Sequence, residues 1–324
     1  MDTGSLIRIL GSVLAYSSPL VIASMGETIS ERAGVINLSM DGSIMLSAMS
    51  GFAVAYLTGN LLLGFLAAMM VGALVALLIA FASITLHQNQ VAVGFVLTIL
   101  GAELANFLGE PFVRRPGPRV PYMPIPWLGD IPIVGEIFFR QDLLVYASLL
   151  LIVAVWFWIF RTQAGLRLRG VGERPEAAFA RGVDVNRLRY LYTVMGGALV
   201  GVAGAAYSLS VKLGWSENHT LGNGWIVLAI VIFGGWHPAR VAFGAYLFGG
   251  LKALGGILQG VLPGVPTQVF QGAPFALMIL VLLLVSGETL ERFLSYFPQP
   301  VRRGLRDLLR SNPPAALGRP FTRE

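Results

Sequence analysis

From Gly42 to Ala102 the chain carries no Asp, Glu, Lys or Arg, a run of 61 residues. A bilayer-spanning helix needs about 20 apolar residues, so this run alone holds two or three spans. Its apolar stretches are continuous rather than alternating, which excludes a β-barrel and leaves helices as the only way to satisfy the backbone in lipid. Composition agrees. The 324 residues are 55% hydrophobic and 12% charged, with a mean hydropathy of +0.72, against about 25% charged in an ordinary globular domain. The fold class is an all-α polytopic membrane bundle.

Apolar runs place spans at roughly 5–25, 35–58, 61–85, 91–109, 143–160, 190–211, 224–236, 241–262 and 270–287. The run 224–236 is short enough to be a half-helix. The segment 26–34, GETISERAG, is charged and Gly-bearing, a candidate break or re-entrant turn. The expectation is therefore eight to ten crossings, with broken helices. Gly/Ala-rich segments around Asn37 to Gly51 and Gly222 to Gly250 hint at an internal two-fold repeat. Residues 1–290 are expected to form the membrane unit, and 291–324 a cytoplasmic tail, first amphipathic and then disordered from Ser311. The first 25 residues lack a small-residue cleavage site and read as a retained span. With no cysteine there is no disulfide and no thiolate chemistry.

Residues 161–189 interrupt the apolar pattern with seven arginines and three acids, which fixes them on the cytoplasmic side. Within them, Pro175, Glu176 and Gly182 read as a short helix: Pro at its first position, an acid in its first turn, Gly just past its end. Such a helix suits docking of a soluble partner. A basic loop lying on anionic headgroups would account for the arginines equally well. Counting outward from this loop places 212–223 outside, 237–240 inside, 263–269 outside, and the tail with Arg292, Arg302, Arg303, Arg306 and Arg310 inside. The Pro-rich segment 110–142 falls outside and is expected to be rigid. The net charge of +6 thus marks topology, not a nucleic-acid partner.

Three motifs carry a resemblance. Gly165 to Arg169, Val171-Gly172-Glu173, Pro175-Glu176-Ala177-Ala178 and Gly182-Val183 are similar to the coupling loop of permeases of bacterial ABC importers for simple sugars and nucleosides. Glu31-Arg32-Ala33-Gly34-Val35-Ile36-Asn37-Leu38 followed by Asp41-Gly42 resembles that family's N-terminal signature, with Ser30 for a usual Gly and Asp41 for a usual Glu. Asn89-Gln90-Val91 with Gly94 resembles a third segment, with Ala92 and Val93 in the two places between. The resemblance runs from about residue 15 to 287. It implies coupling residues Glu173, Pro175, Glu176, Ala177, Ala178 and Gly182 contacting an ATP-binding cassette subunit. It further implies a second permease chain, an extracytoplasmic solute-binding protein, and a multi-pass place in the bacterial inner membrane. No cofactor is expected on the chain itself, since ATP would be held by the partner.

Candidate pathway residues are Asn37, Asp41, Asn89, Glu103 and Lys252. Asn37 and Asp41 are four apart and would share one face of a helix end. Asp41 either faces a polar path, pairs with Arg32, or caps a backbone break. Asn89 reads first as a helix cap. Lys252 lies about 18 Å along a helix from Arg240, where it would snorkel, pair with a carboxylate such as Glu103, or line the path. Trp225 reads as an interface anchor. The chain has no Gly-rich loop ending in Lys-Ser/Thr, no His-Glu-x-x-His and no Gly-x-Ser-x-Gly, so it is expected to be a transport subunit and not an enzyme. A nucleoside or simple sugar is the expected solute. The alternatives are a branched-chain amino acid permease and an ion-coupled secondary transporter using Asp41, Glu103 and Lys252.

Overall fold

The computed structural model describes residues 3–262, 264–285, 295, 296, 298, 299 and 312–322. Its described residues form eleven α-helices and no β-strand. In chain order these are α1 (Thr3–Arg32), α2 (Met40–Thr58), α3 (Leu61–Ala80), α4 (Gln90–Gly109), α5 (Leu143–Arg161), α6 (Gln163–Glu173), α7 (Pro175–Ala180), α8 (Val185–Ala206), α9 (Asn223–Phe233), α10 (Pro238–Val261) and α11 (Thr267–Val285). Among the described residues seven helices are long and apolar enough to cross a membrane: α1 to α5, α8 and α10; α9 and α11 are shorter apolar helices. At 1.5 Å per residue α9 rises about 16 Å, half of a hydrocarbon core about 30 Å thick. It is the half-helix expected there.

Side-chain caps set where the helices start. Asn60 accepts from the Leu62 and Leu63 amides, Asn89 from Val91 and Ala92, Asp142 from Val145, Thr162 from Gly165 and Asp184 from Arg187. Each side chain satisfies amides that have no partner inside the helix.

Helices α1, α2, α3 and α8 make the core. Close approach through glycine holds α3 to α8: a Cβ on Gly72 would lie 2.3 Å from the Gly197 carbonyl oxygen, and one on Gly201 2.1 Å from that of Ala68. Small residues permit such backbone contact, which takes the place of a hydrophobic driving force in lipid. α4 and α5 turn large apolar side chains outward, among them Phe95, Val96, Ile99, Phe107, Leu150 and Phe157. On a water-soluble protein this would be a large apolar patch; here it is a lipid-facing wall.

Several expectations are corrected. The chain does not break at 26–34: α1 runs to Arg32 and turns at Gly34, whose φ is +94°. Helix continues there, and each buried acid finds a partner for one carboxylate oxygen. Glu27 accepts from the Asn37 amide at 3.1 Å, and Glu31 accepts from the Trp236 indole. Asn37 consequently sits in the turn before α2 and not on one helix face with Asp41. Residues 163–173, read as loop, are helical from the Thr162 cap onward. Residues 312–322, expected to be disordered, pack against α6 and the α1–α2 turn, with Gly318 N–H donating to the Gly34 carbonyl at 3.0 Å. The amphipathic stretch with Arg292, Arg302, Arg303, Arg306 and Arg310 lies outside the described residues.

The two ends of the bundle differ. One is formed by α6, α7, the turns at 33–39 and 86–89, and residues 312–322. The other is formed by 110–142 and 212–222, which meet at 3.1 Å where Arg114 N–H donates to the Trp215 carbonyl.

Candidate functional site

At the first end, α6 and α7 stand out from the spans. Pro175 is buried at the first position of α7, and Gly182 closes the helix with φ +80°. Ala178 turns inward onto a small cluster of Val171, Val185 and Phe321, while Glu176, Ala177 and Phe179 stay exposed. Glu173 ends α6 with its carboxylate 4.0 Å from Arg32 and accepting from the Ala315 amide at 3.3 Å. The six predicted coupling residues thus lie together, and their outward face joins an acid to a small apolar surface. Around them Arg161 lies over Trp156 at 5.7 Å and Arg169 over Phe160 at 5.3 Å. Those two arginines pack as planar cations on aromatic rings.

The second site is a cavity of about 510 Å³ between α9, α10, α11 and the 212–222 loop. Asn218, His219, Asn223 and Gln259 give it polar walls, Lys212, Glu217 and Lys252 charged ones, and Phe275 and Phe270 of α11 aromatic ones. Lys252 donates to the Asn223 side-chain oxygen, and its ammonium is 6.0 Å from the centre of the Tyr207 ring. Behind the cavity Asp41 accepts from the amides of Gly222 (3.1 Å) and Gly224 (2.9 Å). A carboxylate on orphan amides at a helix start is the favourable sign for that end of the macrodipole. Gly222 is required in this cradle: its φ is +84°, and a Cβ would lie 2.3 Å from the Phe275 ring. His219 is held by Ser216 and Ser208, and burial lowers its pKa to about 4, so the ring is neutral at pH 7.

Of the five predicted pathway residues, Lys252 lines this cavity and Asp41 stands one layer behind it. Asp41 does not pair with Arg32, which donates to the Trp236 carbonyl at 3.0 Å. Asn37 and Asn89 lie at the opposite end, where Asn37 holds Ser39 and Asn89 caps α4. Glu103 is exposed on α4 and does not line the cavity with Lys252. Trp225 packs on Phe95 with ring centres 5.4 Å apart. The sequence reading missed Asn218, His219, Asn223 and Gln259. The Gly222-Asn223-Gly224 triplet opening a half-helix was the available signal for Asn223.

The described residues thus form a polytopic helical bundle with a polar cavity beneath the 212–222 loop at one end and a structured helix pair at the other, the architecture of a membrane transport protein. The sequence profile of the branched-chain amino acid transport system permease component matches residues 9–282. The chain belongs to that family and is an ABC transporter permease of the simple-sugar and nucleoside type. It is 42% identical over 250 residues to a provisionally assigned glucose ABC transporter permease of Haloferax volcanii, covering 76% of each chain. A nucleoside ABC transporter permease of Lactococcus lactis is 32% identical over 296 residues, 87% of this chain and 93% of that one. A guanosine ABC transporter permease of Bacillus subtilis is 34% identical over 309 residues, again 87% and 93%. No solved structure matches the chain.

Proposed function

We propose that this permease carries a nucleoside, or a simple sugar of similar size, across the bacterial inner membrane, on ATP hydrolysed by a partner subunit. The observation that carries the reading is α7. It is a capped six-residue helix set off from the spans, with Glu176, Ala177 and Phe179 outward in a family of ABC permeases. A helix so short has no stability of its own in water, so one held in place by its seat is suited to pass on a push. An ATP-binding cassette subunit on each of two permease chains would supply that push, since this chain carries no phosphate-binding loop of its own.

The solute would enter from the end formed by 110–142 and 212–222, handed over by an extracytoplasmic binding protein. Its path would pass Asn223, Lys252 and Gln259. The amides supply donors and acceptors together, and the Phe275 face supplies a stacking surface. This suits an uncharged ring with a polar edge. Asp41 would act through α9, whose first turn it holds, and Asn37 through the turn it shapes.

Glu176→Lys tests the reading. The reversed charge should cut co-purification of the ATPase subunit about tenfold, as expected for loss of a docking contact, and uptake should fall with it. Uptake of solute by the chain alone on a proton gradient would sink the importer reading. Competition by nucleosides against hexoses and branched-chain amino acids sorts the solute class.

A further inference from the structure

Residues 312–322 lie as a strap across the end that carries α7. Ala316 N–H donates to the Gly172 carbonyl at 2.9 Å and Gly318 N–H to that of Gly34 at 3.0 Å. Arg189 Nη1 donates to the Arg319 carbonyl at 2.8 Å, and Ala315 N–H to Glu173 Oε2 at 3.3 Å. The strap thereby ties together the end of α6, the start of α8 and the α1–α2 turn. Gly34 and Gly318 both have positive φ, +94° and +73°, so the two backbones meet where only glycine fits without strain.

Its last described part reaches α7. Phe321 is 7% exposed and clusters with Val171 and Val185. Its ring centre is 5.7 Å from that of Phe179, tilted by 56°, within the favourable range for an aromatic pair. One wall of the α7 seat therefore comes from the far C-terminal segment and not from a span. In the other direction, the turn that the strap grips at Gly34 leads through Asn37, whose amide is held by Glu27. It ends at Asp41, which holds the first turn of α9 beside the cavity.

We propose that the strap is part of the coupling machinery. Phe321 is a positioning residue that seats α7, and the Gly318–Gly34 bond passes the displacement of α7 to the α1–α2 turn and so to the cavity. The proposal rests on α7 being the ATPase contact. Contact between elements makes such a route possible; only a change in coupling establishes it.

The test uses the whole complex, with its ATPase and binding protein, in vesicles, and reads three quantities: ATPase retained, ATP hydrolysed, and solute moved per ATP. Phe321→Ala should keep the ATPase bound and hydrolysing while solute moved per ATP falls about tenfold, within the range for a coupling residue remote from ligand. Phe321→Tyr should restore it. Should Phe321→Ala fail to accumulate, a protease site inserted after residue 311 allows the strap to be cut and washed off after folding. The cut complex should lose solute moved per ATP and regain it on adding a peptide of residues 312–324. An unchanged ratio in Phe321→Ala or in the cut complex overturns the proposal. So does loss of the ATPase with a normal ratio in what remains, which would make the strap a docking surface only. The docking reading itself fails separately, if Glu176→Lys leaves co-purification intact.

Discussion

Glycine does opposite work in two regions of the bundle. Between α3 and α8 it removes space: a Cβ on Gly72 would sit 2.3 Å from the Gly197 carbonyl oxygen, with the Gly201 amide nitrogen at 2.7 Å. On the cavity face of α10 it leaves space: Gly255 and Gly256 line the cavity, and a Cβ on Gly256 would meet no heavy atom within 4 Å, although Gly249 nearer the α1 side packs tightly on Ser17. The α1, α2, α3 and α8 core is thus locked backbone to backbone, and α9, α10 and α11 surround an opening. A transporter needs both properties, a body that transmits force and a path that can change width. Here they are built from the same residue type. What distinguishes them is what faces the missing side chain.

That contrast gives the largest expected effect. Gly72→Leu must displace backbone, not a flexible side chain. Overpacking costs typically about 1–3 kcal/mol even where side chains can yield; folded protein recovered from membranes should fall at least about tenfold. Gly256→Ala should leave recovery unchanged and alter only uptake. Equal losses of recovery in the two variants would break the comparison.

Asp41 joins the two regions, reaching from α2 in the locked core to the amides of α9. Asp41→Ala leaves two buried N–H groups unpaired, at about 1–3 kcal/mol each. Uptake should drop by an order of magnitude or more, while an ATPase docked on α7 as proposed should stay associated. Asp41→Asn keeps one acceptor oxygen and should fall between. If Asp41→Asn transports no better than Asp41→Ala, the carboxylate serves the path by its charge and not by holding α9.

The two ends were unequally legible, and the reason is range. The start and stop of α7 are written within eight residues, Pro175 to Gly182, because capping is local chemistry. The membrane class was legible for the same reason, since each apolar run is contiguous. The cavity joins residues from three helices and a loop, and Asp41 finds its partners more than 180 positions away. No spacing rule announces such a pairing. Polarity singled out Glu103 as readily as Lys252, yet only packing decides that one is exposed on α4 and the other lines the cavity. The break expected at 26–34 failed for a related reason. Two acids in a span look like a rupture until Asn37 and Trp236 come round to bind them. The α6 helix was within reach of local reasoning, because Thr162 is an ordinary cap.

The smallest effect concerns the loop over the opening. Burial lowers the His219 pKa to about 4, against about 6.5 for an unfolded histidine. The unfolded chain therefore binds the extra proton first as pH falls. Stability contributed by the neutral ring is complete above about 6.5 and is lost progressively towards pH 4. Thermal unfolding of the purified protein between pH 7 and 4 should show the wild type losing stability faster than His219→Gln, which keeps a polar side chain without the titration. The gap between the two curves should open in that window, whatever the carboxylates add to both. Parallel curves would mean that the ring is solvated in the working protein. The loop that roofs the cavity would then be as open as the cavity itself.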